Sequence, residues 1–212
     1  MQNRRTFLAA TVAGGTLLAF GLGASPARAS IEDDARSFLS DLGNRAIAQL
    51  TDKSVEATER VSRFRTLMRE AIDFALIAQQ VLGKHWRSTE DSLRQEFYSV
   101  LRETLIQRFL PLFDKYEGET FDVVSTRTSS KDPSVVAATT NVKAPNGNIA
   151  KVEWYMKQFD SGMKIYDFSA EGVRLTISLQ DEYDAVLRSA DGDVAVLIAE
   201  MKKKLPATAV LD

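Results

Sequence analysis

The sequence predicts an α+β protein in which helices pack on a strongly twisted antiparallel sheet. Three observations support this fold class: apolar residues recur at helical spacing up to about residue 116, alternate with polar residues from residue 121, and return to helical spacing near the end. The chain has 212 residues, of which 44% are hydrophobic and 26% charged, as is typical of a globular protein. Periodicity alone leaves open whether the interior enclosed by the sheet and helices is solid or hollow.

The first 29 residues are predicted to be a cleaved export signal. They contain no acidic residue, carry RRTFL at residues 4–8, and end in ARA at residues 27–29, the small-x-small pattern that signal peptidase reads. The RRTFL run resembles a twin-arginine signal, and a membrane anchor or an ordinary secretory signal are the alternatives. Cleavage after Ala29 is expected to release the protein into the periplasm, with residues 30–212 forming a single domain.

Three helices are predicted in the first third of the mature chain. Ser30 is expected to cap the first helix, whose apolar residues recur as far as Leu50, and a second helix is expected to begin near Ser54. A short third helix covers Phe74–Leu82 and ends at Gly83, because glycine is common just after a helix C-terminus.

A long fourth helix follows. Ser88 or Thr89 is expected to cap it, and its apolar stripe continues to about Tyr116. Pro111 lies inside this stretch, which predicts a kink or a break at that point.

The second half predicts an antiparallel meander followed by two helices. The strands are expected over residues 121–126, 134–142, 149–158, 163–169 and 173–177. Asn146 and Gly147 lie between the second and third strands, where Asn-Gly is the strongest short signal for a hairpin turn. The final helices are expected over residues 179–189 and 193–205.

Composition excludes much of the usual catalytic chemistry. The chain has no Cys and one His, so it offers no disulfide, no Cys-ligated metal site, no Cys nucleophile and no multi-His metal site. His85 is interpreted as a loop or packing residue, and the net charge of −2 argues against a nucleic-acid partner. We therefore expect no metal, no cofactor and no enzymatic activity, with a hydrolase that uses Asp or Glu left as an alternative.

Short motifs occur in a fixed order along the chain. They are VSRFRTL at 61–67, VLGKHWR at 81–87, YEGE at 116–119, YDF at 166–168 and EGVRL at 171–175. In this order and behind an export signal, they resemble the MlaC / toluene-tolerance family of periplasmic phospholipid-binding proteins. The resemblance extends over about residues 35–205. A sister branch associated with hopanoid biosynthesis is not separated from it by these motifs.

The resemblance implies an apolar pocket, between the sheet and the helices, that takes phospholipid tails and leaves the head group outside. It also implies a carrier that moves phospholipid between an outer-membrane lipoprotein–porin complex and an inner-membrane ABC transporter with a ring of lipid-binding domains, which maintains outer-membrane lipid asymmetry. A hopanoid or isoprenoid lipid carrier and a solid-cored periplasmic interaction module are the alternatives. We expect the pocket wall to contain Phe74, Val81, Phe97, Leu101, Leu105 and Phe109 from the helices, and Val152, Trp154, Tyr166, Phe168 and Val173 from the sheet.

Overall fold

Helices precede and follow an antiparallel sheet, as the sequence predicts. The computed structural model describes residues 30–211, so the predicted export signal and its cleavage after Ala29 lie outside the described residues. In chain order the elements are α1 (Ile31–Leu50), α2 (Ala57–Ala71), α3 (Phe74–Leu82), a 3-10 helix (Gly83–Ser88), α4 (Asp91–Asp114), β1 (Thr120–Thr128), β2 (Val135–Lys143), β3 (Ile149–Phe159), β4 (Gly162–Ala170), β5 (Val173–Arg174), α5 (Leu175–Ser189) and α6 (Val194–Lys204).

Short-range side-chain hydrogen bonds explain where the first two helices begin. Ser30 caps α1 as predicted: its hydroxyl accepts from the Asp33 backbone at 3.2 Å, and the Asp33 carboxylate accepts from Ser30 in return. Helix α2 begins at Ala57, later than predicted. The reason is local, because both the backbone N–H and the hydroxyl of Ser54 donate to the Asp52 carboxylate and form a turn instead of a helix start.

Helix α3 has the predicted bounds. The Asp73 carboxylate accepts from the Leu76 backbone at 2.9 Å at its start, and Gly83 takes a positive φ of 50° at its end.

Helix α4 departs from the prediction at both ends. Neither Ser88 nor Thr89 caps it, because both hydroxyls donate to the His85 carbonyl and α4 begins at Asp91. The sequence predicts a kink or a break at Pro111; the break does not occur, because α4 continues through Pro111 to Asp114. Proline has no backbone N–H, so the hydrogen bond that position 111 would donate to the Gln107 carbonyl is missing from the last turn.

The sheet is a meander with strand order β1-β2-β3-β4-β5, and the paired strands are antiparallel. The predicted hairpin forms, with Gly147 at φ 89° and the Ala144 N–H donating to the Asn148 carbonyl. The predicted strand over residues 173–177 is shorter than expected: Val173 and Arg174 form β5, and α5 begins at Leu175. The helix start is favoured because the Asp167 carboxylate accepts hydrogen bonds from the backbone and the hydroxyl of Thr176.

The buried apolar residues of the described chain form three clusters. The helical cluster joins α3, α4, α5 and α6, the sheet cluster joins α1 to the strands, and the α2 cluster joins α1, α2 and α4. Half-buried side chains connect them: Ile72 packs on the helical and sheet clusters, and Phe109 on the helical and α2 clusters. None of the helices in residues 30–211 is long and apolar enough to cross a membrane.

Candidate functional site

Four aromatic rings form a continuous row between α4 and the sheet. Phe121 of β1 contacts Trp154 of β3 at 6.4 Å between ring centroids, Trp154 contacts Phe168 of β4 at 5.5 Å, and Phe168 contacts Phe109 of α4 at 5.4 Å. Such separations are typical of favourable aromatic pairs. All four rings are half-buried. We call these four residues the aromatic cluster.

Neighbouring residues hold the rings in place. The indole N–H of Trp154 donates to the hydroxyl of Thr140 at 2.9 Å, and Thr140 is fully buried. Phe121 lies against the backbone of α1 at Gly43, where a Cβ atom would stand 2.5 Å from Cδ1 of the ring. The close approach of Phe121 therefore requires a glycine on α1.

The aromatic cluster lies between the helical cluster and the sheet cluster of the core. Within residues 30–211, α4 packs on other helices rather than along the strands, and the ring of Phe109 reaches β4. Phe109 and Phe168 pack on the helical cluster, whereas Trp154 packs on the sheet cluster. A hydrocarbon chain inserted beside these rings would therefore contact apolar side chains on both sides.

The inner face of the sheet changes from buried to open along the strands. Directly paired residues share a face, so Val136, Met156 and Ile165 form one row, and all three are 0–1% exposed. Two residues further on lie Trp154 and Phe168 of the aromatic cluster, and beyond them Val152 pairs with Ala170, which pairs with Val173.

The row of Val152, Ala170 and Val173 is the open rim of this face. Val152 is half-buried, Ala170 is exposed, and Val173 is 60% exposed. Leu112, one helical turn after Phe109 on α4, is also 60% exposed. The rim therefore presents apolar side chains to solvent beside the aromatic cluster.

A buried carboxylate fastens this rim from the outer side of the sheet. Asp167 is fully buried and accepts hydrogen bonds from the Phe168 backbone (2.8 Å), the Thr176 backbone (3.2 Å), the Thr176 hydroxyl (2.6 Å) and Nε of Arg174 (2.7 Å). The Arg174 guanidinium also lies 4.4 Å from the ring centre of Tyr155. Burial raises the pKa of Tyr155. These bonds tie β5 and the start of α5 to the strand that carries Phe168.

Two clefts of the described chain lie away from the aromatic cluster. One, the β3–β4 cleft, has a volume of about 240 Å³ and lies between α1, the end of α2 and the β3–β4 turn. The other, of about 270 Å³, is lined by His85, Gln180 and neighbouring residues of α3 and α5. Both are smaller than the ~300–1,000 Å³ of typical ligand pockets. In residues 30–211 no three His, Cys, Asp or Glu residues are arranged to hold a metal ion.

Comparison with known proteins identifies the family. The family model described as MlaC protein matches residues 40–203. The chain belongs to the MlaC family. The match runs from the middle of α1 into α6 and includes the whole aromatic cluster.

A solved structure has a similar fold. It is a phospholipid-binding protein from Ralstonia solanacearum, solved in complex with a phospholipid, with a TM-score of 0.70 and 17% sequence identity. The similarity covers 80% of this MlaC-family chain and 96% of that protein. At this identity the likeness shows a shared fold, and it confirms the predicted α+β class.

The structure brings together a subset of the residues predicted to form the wall. Phe109 and Trp154 both contact Phe168, and Val152 and Val173 lie in the next row of the same face. Tyr166 lies apart, because a bulge in β4 directs its ring towards Tyr155 on the outer face, 6.5 Å away.

The predicted helical wall residues lie mainly in the helical cluster. They are Val81, Phe97, Leu101 and Leu105, each 0–1% exposed, together with the half-buried Phe74 that packs on them. These side chains pack inside the helical layer, in the same cluster as residues of α5 and α6. Their role in lining a pocket remains a prediction.

The sequence analysis missed Phe121 and Gly43. Phe121 stands in the alternating pattern of β1, on the same face as Val142 and Ala150, so its inward direction was readable. The role of Gly43 could not be predicted from the sequence, because the sequence does not show that the Phe121 ring packs against this position of α1.

Proposed function

We propose that this MlaC-family protein binds a diacyl phospholipid, with the acyl chains against the aromatic cluster and the head group at the open rim. The observation that carries this proposal is the aromatic cluster itself: four half-buried rings lie at the junction of separate core clusters. The phospholipid-bound relative from Ralstonia solanacearum, which shares the fold, supports it. The protein acts as a binding protein and not as an enzyme.

The energetics explain why a carrier needs such a site. Two acyl chains contain about 30 methylene groups, and each contributes ~0.8 kcal/mol on burial. Exposing both chains to water would cost on the order of 24 kcal/mol. A carrier must replace nearly all of that burial with its own apolar side chains. Exchange with a bilayer is then close to neutral, and no catalytic group is required.

The proposed pathway extends beyond the chain itself. We propose that the protein works in the periplasm and carries phospholipid between an outer-membrane lipoprotein–porin complex and an inner-membrane ABC transporter with a ring of lipid-binding domains. This transport would maintain outer-membrane lipid asymmetry. Membership of the MlaC family and the export signal predicted at residues 1–29 support this assignment.

One observation favours a second candidate, a solid-cored interaction module. Four of the predicted wall residues, Val81, Phe97, Leu101 and Leu105, are completely enclosed by other protein side chains. If the aromatic cluster were equally closed in solution, no lipid would enter.

Lipid analysis of the protein purified from the periplasm distinguishes the candidates. We expect organic extraction and mass spectrometry to find one diacyl phospholipid per chain. A hopanoid or other isoprenoid lipid would assign a different cargo to the same site. No lipid in a folded, monodisperse sample would contradict the proposal and favour the interaction module.

Two matched variants locate the binding site. Phe168→Ala removes a ring from the aromatic cluster, whereas Phe64→Ala removes a ring that pairs with Phe113 in the α2 cluster at 5.6 Å. Both substitutions delete a phenyl group and are expected to destabilise the fold. Only Phe168→Ala is expected to lower the amount of co-purified phospholipid per folded chain. Equal lipid content in both variants would place the lipid elsewhere.

A further inference from the structure

The β3–β4 cleft lies at the opposite end of the sheet's inner face from the open rim. Met163 of β4 and Ala71 of α2 contribute to its apolar floor, together with Phe38 and Leu42 of α1. Ala170 at the rim and Met163 at the cleft belong to the same strand. The cleft and the rim are therefore the two ends of one apolar surface.

The distance between these ends matches the length of a lipid chain. Ala170 lies seven positions after Met163, and at ~3.3 Å per residue, with one bulge between them, the two span ~20 Å. A fully extended chain of 16 carbons advances ~1.25 Å along its axis for each C–C bond of ~1.5 Å, so it spans ~19 Å. A chain whose head group stays at the rim would thus end close to the cleft.

Only a thin layer of side chains separates the aromatic cluster from the cleft. Met156 and Ile165 form the next row beyond Trp154 and Phe168, and Ile72 packs over them from the end of α2. The row after that contains Met163. Methionine side chains are unbranched and adapt to irregular spaces, so Met156 and Met163 are the side chains of these rows best suited to change conformation around an acyl chain.

Polar groups close the cleft towards solvent without sealing it. Arg45 pairs with Glu70 and with Asp41, the latter at 3.5 Å, and the side chains of Arg45 and Glu70 are 38% and 50% exposed. Lys164 donates to the Glu70 carbonyl at the end of α2. Exposed ion pairs contribute little to stability, so this closure opens at low cost, while the floor beneath it stays apolar.

We propose that the β3–β4 cleft receives the terminal methylene groups of the bound acyl chains and sets the longest chain that the protein accepts. The inference rests on the proposed phospholipid-binding function and deepens it by assigning chain-length selectivity to residues far from the head group. Ser161, which lines the cleft from the exposed β3–β4 turn, and Met163 on its floor determine how much space is left.

The test changes the size of the cleft from the outside. Ser161→Trp fills the cleft from an exposed turn, so the fold is expected to tolerate it. Asp160→Trp is the matched control, because Asp160 is exposed on the same turn and does not line the cleft. Met163→Ala enlarges the floor. Each protein is incubated with phosphatidylglycerols that differ only in acyl-chain length, and the bound species are counted by native mass spectrometry.

Ser161→Trp is expected to shift the bound population to shorter chains, with binding weakened about fourfold for each methylene group that no longer fits. Met163→Ala is expected to shift it to longer chains, and Asp160→Trp to leave it unchanged. Lipid bound with the wild-type length distribution in both cleft variants would overturn this inference alone. No phospholipid bound by the wild-type protein would refute the proposed function and the inference with it.

Discussion

Replacing Asp167 with asparagine tests how the rim is held. The change keeps the shape of the side chain but removes the charge that Arg174 and Thr176 contact at 2.6–2.7 Å. Hydrogen bonds to a charged group contribute ~1.5–3 kcal/mol, because the buried donors have no alternative partner. Arg174 is 38% exposed, so solvent replaces part of its lost partner, and its ion pair adds no more than ~1 kcal/mol. We expect Asp167→Asn to lower the free energy of unfolding by ~3 kcal/mol.

Urea unfolding measures this loss. With a slope of ~2 kcal/mol per molar urea, the midpoint should fall by ~1.5 M. The control is Asp184→Asn, which removes an ion pair between Asp184 and Arg188 on the surface of α5 and should cost less than ~0.5 kcal/mol. If Asp167→Asn changes the midpoint no more than this control does, the carboxylate does not fasten β5 and α5 to the sheet.

Two further variants test the docking of α1. Helix propensity alone predicts that Gly43→Ala raises the free energy of unfolding by ~1 kcal/mol, but we expect a net decrease of ~1 kcal/mol because the new methyl group displaces the Phe121 ring. In a Phe121→Ala background the same substitution should stabilise the protein. Urea midpoints that rise in both backgrounds would refute the contact. Hydrogen bonds from the backbone and hydroxyl of Thr128 lower the pKa of Glu32. The stability that Glu32 contributes should therefore be present above the ordinary carboxyl pKa and be lost as the pH falls through the lowered value. Glu32→Gln should flatten that part of the profile of urea midpoint against pH, and identical profiles would contradict the assignment.

Local signals predicted the elements that are stabilised locally. Helix α3 has both its cap and its stop in adjacent residues, Asp73 and Gly83, so its bounds follow from the sequence. The hairpin at Gly147 and the alternation of β3 were equally readable, because each depends on neighbours in the chain.

Elements that depend on distant partners were not predictable in the same way. The alternation over residues 173–177 is typical of a strand, yet Asp167 accepts from the backbone and hydroxyl of Thr176 and caps a helix there. Regular alternation from Phe168 predicts that Tyr166 faces the interior, and only the bulge in β4 places it on the outer face. The pairing of Phe109 with Phe168 required knowledge of how α4 lies against the sheet.

The most direct test of the central claim uses the two tryptophans of the chain. The variant Trp86→Phe keeps Trp154 of the aromatic cluster as its single tryptophan. The variant Trp154→Phe keeps Trp86, which belongs to the 3-10 helix and packs on Tyr98 and Arg94. Each protein is loaded with a phospholipid that carries bromine on its acyl chains, which quenches a tryptophan in contact with it. We expect strong quenching of Trp154 and none of Trp86. A lipid-loaded protein in which Trp154 remains unquenched would contradict the claim that acyl chains lie against the aromatic cluster.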